Sequence, residues 1–332
     1  MAAFMCTGAE LLAVLEEFAG HKAGLALSRD EILAHIPEHA NRIPPADMCV
    51  RMRHEEFDEM VRELLYALGA LASPRSGETP TMALYAKYYG NAHKLEIINY
   101  LSEALFQDMV ARGAAAPGPV DLTPIFRSVE ERYGSAAAPL LAEFLALLTD
   151  YMHGSITSGF RRVEWTNAEQ LKTLFHHENG APSHGAFLDQ RFIDYLDRNF
   201  GSVDAIHWRN FERLAAEFFN REGYRVDIGA GQGDDGVDLR VWRSGDDPAP
   251  MILVQCKRQK QKVGKVIVRS LWADVDFEGA ELGLVVTTSS LQPGAVKTCQ
   301  ARGYNIAQAD RSMLKRWLEK LRTPGTGLFF GS

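Results

Sequence analysis

Two short apolar runs rich in β-branched residues, 237–242 and 251–256, flank a turn of Ser, Gly, Asp and Pro. That pattern predicts a hairpin. Before it, Phe211, Leu214, Ala215, Phe218 and Phe219 recur at helical spacing, which predicts a helix over 208–220, and 224–228 reads as a strand. After it the period alternates: helix 265–277, buried strand 282–288, helix 292–302, strand 304–309 and a closing helix 311–321. The order αβββαβαβ requires a mixed sheet flanked by helices.

The first 200 residues read differently. Thr7 with Glu10 and Ser28 with Glu31 form capping boxes that open helices near 9–18 and 29–35. A third helix covers 55–72, a turn follows at 73–80, and 81–89 reads as a strand. Three helices, a turn and a strand suggest a winged helix. A long amphipathic helix over 91–112 leads to an Ala/Pro/Gly linker at 113–122. The strongly apolar helix 136–151 is expected to be buried or to face a second copy of the chain. The expected organisation is a helical module over 1–112, a helical linker and assembly region over 113–203, an α/β domain over 204–322 and a tail over 323–332.

Composition narrows the class. Hydrophobic residues make up 46% and charged residues 24% of the 332 residues, as in soluble globular proteins. The four cysteines have neither CxxC nor metal-ligand spacing, so free thiols in a reducing cytoplasm are expected. The most apolar stretch contains Glu143 and is too short to cross a bilayer, so no membrane partner is expected. His176, His177 and His184 read as a polar helix end. The net charge of −7 hides an asymmetry: from His207 onward 19 Lys and Arg oppose 15 Asp and Glu. The basic balance concentrates in Lys257, Arg258, Lys260, Lys262, Lys265 and Arg269, where phosphate contact is expected.

Chemistry gathers at the hairpin. On a strand Gln255 and Lys257 point to one side and Cys256 to the other, and an antiparallel partner can bring Asp238 beside them. A carboxylate, an amide oxygen and the Cys256 carbonyl are hard-oxygen donors for Mg²⁺ or Mn²⁺, with an ammonium alongside. The glycines of 229–233 imitate part of a dinucleotide fingerprint, but a strand follows where that motif needs a helix. They read as turn residues, and Asp234 and Asp235 as turn carboxylates.

Asp238 preceded by Gly-Val, then Gln255-x-Lys257 followed by Arg258, resembles the Mrr-like branch (type IV restriction endonucleases) of the PD-(D/E)xK nuclease superfamily. The resemblance extends to Trp208-Arg-Asn-Phe-Glu212, Gly223-Tyr-Arg-Val226, 284–288 and 303–306, so it covers 204–322. It implies a metal-dependent DNA endonuclease of the restriction or phage-defence type. Glu212, Asp238, Gln255 and Lys257 would be the catalytic set, with Glu212 a further metal ligand. Gln255 departs from the acidic residue of the wider superfamily. A double-strand cut would need a homodimer or larger assembly, and a defence partner could act through the N-terminal helices. Two alternatives are a nucleic-acid-binding module that does not cut and a partner-triggered effector whose specificity lies in those helices.

Overall fold

The computed structural model describes residues 3–75, 77–112, 121–156, 165–178, 180–231, 236–245 and 247–322. The chain divides into two compact units, Met1–Pro74 with Glu164–Ser332, and Arg75–Val163. The division falls inside the segments 1–112 and 113–203. The N-terminal stretch therefore belongs with the C-terminal half, and the second unit is inserted between them.

The first unit opens with β1 (Ala3–Thr7), α1 (Gly8–Phe18), β2 (Leu25–Ala26), α2 (Arg29–His35), β3 (Cys49–Arg53) and α3 (His54–Ala67). Both capping boxes form: Thr7 and Glu10 at α1, Ser28 and Glu31 at α2. β1 and β3 pair antiparallel, from Ala3 opposite Arg53 to Thr7 opposite Cys49.

The inserted unit holds α4 (Pro80–Lys87), α5 (Ala92–Arg112), α6 (Thr123–Tyr133) and α7 (Ala138–Gly154). The strand expected over 81–89 is thus a helix. Pro80 occupies the first helical position, where its missing N–H costs nothing, and Met82, Ala83, Leu84, Ala86 and Lys87 are helix formers. Leu140, Leu141 and Phe144 of α7 are buried against Leu84, Ile97, Ile98, Leu101, Ile125 and Val129. Most of the apolar face that the sequence offered to a second copy is covered within the unit. Leu145 and Tyr151 stay exposed.

The chain returns through β4 (Glu169–Gln170), α8 (Thr173–His176) and α9 (Gln190–Arg198), and β4 adds in parallel to β2. Arg191 anchors this return. Its guanidinium is buried, ion-paired with Asp189 at 2.7 Å, and donates to the carbonyls of Gly24 and Asn167. Trp165 lies over it, 5.1 Å from ring centroid to guanidinium carbon.

The sheet domain follows with α10 (Trp208–Arg221), β5 (Arg225–Ile228), β6 (Leu239–Trp242), β7 (Ile252–Lys257), α11 (Lys265–Glu278), β8 (Leu282–Thr287), α12 (Pro293–Arg302), β9 (Ile306–Ala309) and α13 (Arg311–Leu321). Five strands lie in the order β5-β6-β7-β8-β9. The first two pairings are antiparallel and the last two parallel. The antiparallel half follows from the tight hairpin, and the parallel half from helical crossovers. Val268, Leu271 and Val275 of α11 pack with Leu253 and Val285 of the sheet. Gly283 permits the fit: a Cβ there would come within 2.3 Å of Ile306 and 3.1 Å of Leu271. Phe218 of α10 and Trp317 of α13 stack with centroids 4.1 Å apart. Among the described residues no helix is long and apolar enough to cross a membrane.

Candidate active site

The central strand β7 carries the site. Its last paired residue toward β6 is Val254, opposite Leu239. Beyond that point Asp238 spans the neighbours of Gln255. Its N–H donates to the Val254 carbonyl at 2.9 Å, and its carboxylate accepts the Cys256 N–H at 2.6 Å. The hairpin therefore sets Asp238 across from Gln255. Asp238 and Gln255 are both buried, at 8% and 5% exposure. Gly236 belongs to the same constellation. With φ of 92° it adopts a backbone that favours glycine, and a Cβ there would press within 2.9 Å of the Gln255 amide nitrogen.

Within this site the amide of Gln255 stands out. Its Oε1 is buried and has no hydrogen-bond partner among the described residues. An orphaned acceptor of this kind costs about 1–3 kcal/mol. Buried polar side chains are otherwise nearly always satisfied, so an oxygen left open points to something that fills it.

Glu212 approaches from α10 and is 6% exposed. Arg209, one turn earlier, donates to its Oε2 at 2.8 Å and also reaches Glu178 at 3.4 Å. The turn after β5 crosses this helix start, since a Cβ on Gly231 would touch the Trp208 ring at 3.0 Å. Cys256 reports how the two carboxylates are disposed. Burial pushes its thiol well above the ordinary value, and the charges of Asp238 and Glu212 push it further. It stays a neutral thiol, unsuited to nucleophilic chemistry.

Lys257 ends the strand, half-buried, and its carbonyl accepts from Thr287 Oγ1 at 2.7 Å. Its ammonium forms no ion pair among the described residues. Of the basic run, Lys260, Lys262, Lys265 and Arg269 are exposed. Arg258 differs: its guanidinium turns inward and donates to the Asp204 carbonyl at 2.7 Å. Asp234 and Asp235 lie outside the described residues. Sequence reasoning overlooked Arg209, which only its three-residue spacing from Glu212 could have flagged.

The donors fit a hard divalent cation in kind: two buried carboxylates, an open amide oxygen and a backbone carbonyl. Among the described residues no three His, Cys, Asp or Glu side chains gather as a metal cluster. An oxygen site here would therefore depend on the amide of Gln255 as well as on the carboxylates.

The domain is thus a mixed five-stranded sheet flanked by helices, with buried carboxylates on the hairpin and the leading helix. Residues 203–318, the C-terminal third of the chain, match the model of the Mrr catalytic-domain family, described as restriction endonuclease. Among solved structures the chain is similar to the MspJI restriction endonuclease in complex with a 27-mer oligonucleotide, at 22% identity and a TM-score of 0.29. That similarity spans 41% of this chain and 32% of the other, about a third of its length. No curated protein matches the chain.

Proposed function

We propose that the protein is a Mg²⁺- or Mn²⁺-dependent DNA endonuclease of the restriction or phage-defence type, working in the cytoplasm. The observation that carries this reading is Gln255 Oε1, buried opposite Asp238 and without a hydrogen-bond partner among the described residues, on a strand that ends in Lys257, which forms no ion pair among them. Asp238, Gln255 and the Cys256 carbonyl would hold the cation, with Glu212 as a further ligand. A bound divalent cation supplies charge neutralisation at the scissile phosphate and a more acidic water.

The chain's own residues do the rest. Asp238 is fixed by the Cys256 N–H, so its carboxylate is oriented before any ligand arrives. Arg209 donates to Glu212 and so aims its carboxylate. The Lys257 ammonium, on its flexible stem, binds phosphate oxygens and offsets the charge that builds during attack by water. Lys260, Lys262 and Lys265 follow along the exposed loop and the start of α11, where they would track the DNA backbone without reading bases. The N-terminal helices would regulate the domain or carry a partner's signal. The Arg191 anchor supports this, because it ties Gly24 and Asn167 to the element that precedes the nuclease domain.

Incubation with methylated and unmethylated plasmid, in Mg²⁺, Mn²⁺ or EDTA, tests the reading. Nicked or linear product with metal and none with EDTA is expected. Cleavage that persists in EDTA, or no cleavage of either plasmid in any metal, would overturn it.

A further inference from the structure

One face of α11 is apolar, exposed and not used by the fold. Val266 is 70% and Phe277 90% exposed, while Val268, Leu271 and Val275 on the far side are buried in the core. At 3.6 residues per turn, Val266, Ser270, Ala273 and Phe277 form one stripe with alternating steps of four and three. Ser270 and Ala273, both exposed, are small and lie at its middle. Arg269 and Asp276 flank the stripe on the same edge, two turns apart, and neither forms an ion pair among the described residues.

The stripe is complementary to itself. A two-fold axis crossing the helix between Ser270 and Ala273 sets Val266 against the partner's Phe277. It also sets Arg269 against the partner's Asp276, and each contact is repeated by symmetry. Small residues at the crossing let the two backbones approach, and antiparallel helices oppose their dipoles favourably. Charge argues against DNA as the occupant, because Asp276 and a bare phenyl ring would face phosphate. We infer that α11 is the surface through which two copies of this chain pair, antiparallel and two-fold.

One helix face offers less than the roughly 800 Å² per partner of a standard stable interface. Pairing is therefore weak in free solution and reinforced when two copies share a duplex. α11 begins shortly after Lys257, so pairing through it would hold two catalytic strands close together for cleavage of both DNA strands. That consequence rests on the nuclease reading; the pairing does not. The assignment takes Arg269 for the pair rather than for phosphate.

Sedimentation velocity of the full chain across the micromolar range, alone and on duplex DNA in EDTA, reads the pairing without cleavage. A concentration-dependent dimer is expected. Phe277→Ser should weaken it at least about tenfold. Arg269→Asp and Asp276→Arg should each weaken it, and the double reversal should return it to within about threefold of wild type, because both symmetric pairs are rebuilt. These residues are exposed, so the variants keep the core intact. A monomer under both conditions, a dimer unmoved by Phe277→Ser, or a double reversal no better than the single ones overturns the proposal. A chain that pairs but cuts no plasmid overturns the nuclease reading alone. One that cuts while failing to pair overturns the pairing alone.

Discussion

Helix α10 carries two buried glutamates, Glu212 and Glu217, and the fold surrounds them differently. Oε2 of Glu217 accepts the backbone N–H groups of Ala186, Phe187 and Leu188 at 3.0, 2.7 and 3.2 Å. Its other oxygen takes Arg221 Nε at 2.7 Å. A carboxylate so fully met by fixed donors fastens the loop before α9 to α10. Glu212 is held by Arg209, and its charge reaches the Cys256 thiol together with that of Asp238; among the described residues the Gln255 amide oxygen has no donor and the Lys257 ammonium no counter-ion. The first arrangement is complete as it stands. The second gains from a further cation and a further anion, as a site for metal and phosphate should.

The sharpest break in that contrast is at Asp238. Asp238→Asn keeps an acceptor for the Cys256 N–H but removes the charge. Cleavage should fall at least about 10³-fold while the melting temperature hardly moves. Plasmid cleavage measured beside thermal melting checks it, and an active variant would move the site elsewhere.

Next in size is the pair of glutamates itself. Glu217→Ala leaves the N–H groups of Ala186, Phe187 and Leu188 and the Arg221 guanidinium without this buried acceptor, so about 3–5 kcal/mol of stability should go. Cutting at low temperature should survive. Glu212→Gln should do the reverse, lowering the rate about 10–100-fold at nearly unchanged stability. Equal losses of stability in the two variants would dissolve the distinction between fastening and chemistry.

Much of this contrast was legible in the chain, and the illegible part has a physical reason. The hairpin showed because β-branched runs 237–242 and 251–256 carry strand period whatever surrounds them, and the motif residues Asp238, Gln255 and Lys257 lie on it. Glu217 did not show, because nothing in the sequence distinguishes a glutamate that accepts three N–H groups from one facing water. Arg258 read as a surface cation, but a carbonyl fifty-four positions earlier draws it inward. Arg191 hid in the same way, since Gly24 becomes its neighbour only when the inserted unit is spanned. Segment 81–89 departs from its expected strand for a local reason: Pro80 closes the turn-like run 73–80 but suits the first turn of a helix equally well.

Gln255 gives a smaller, more specific test. Gln255→Glu puts a carboxylate where the open amide oxygen lies, so divalent-cation affinity should tighten about tenfold, or 1.4 kcal/mol. Without metal the variant should be less stable than wild type, because a third buried carboxylate joins Asp238 and Glu212. Calorimetric titration with Mn²⁺ reads the first effect and melting in EDTA the second. Unchanged affinity would remove Gln255 from the metal's reach.

An effect away from the site concerns a carboxylate that belongs to neither kind. Asp194 on α9 accepts from Gln190 Nε2 at 2.8 Å, while the nearby Arg322 pairs with Asp197 at 2.8 Å. Burial pushes its carboxyl up to about 7; the Gln190 amide and Arg322 hold the value down, and Asp197 pushes it further up. A raised carboxyl keeps its proton in the fold at a pH where the unfolded chain has released it. Its contribution to stability is therefore present below about pH 4 and is lost as the pH climbs to about 7. Above that the fold carries the charge at a cost. Asp194→Asn presents the same acceptor to Gln190 with no proton to lose. Its melting temperature should exceed that of wild type by about 2–4 °C per kcal/mol at pH 8, and the gain should vanish near pH 4. A gain of equal size at both pH values would mean that Asp194 is already ionised in the fold, held by its neighbours as Glu217 is.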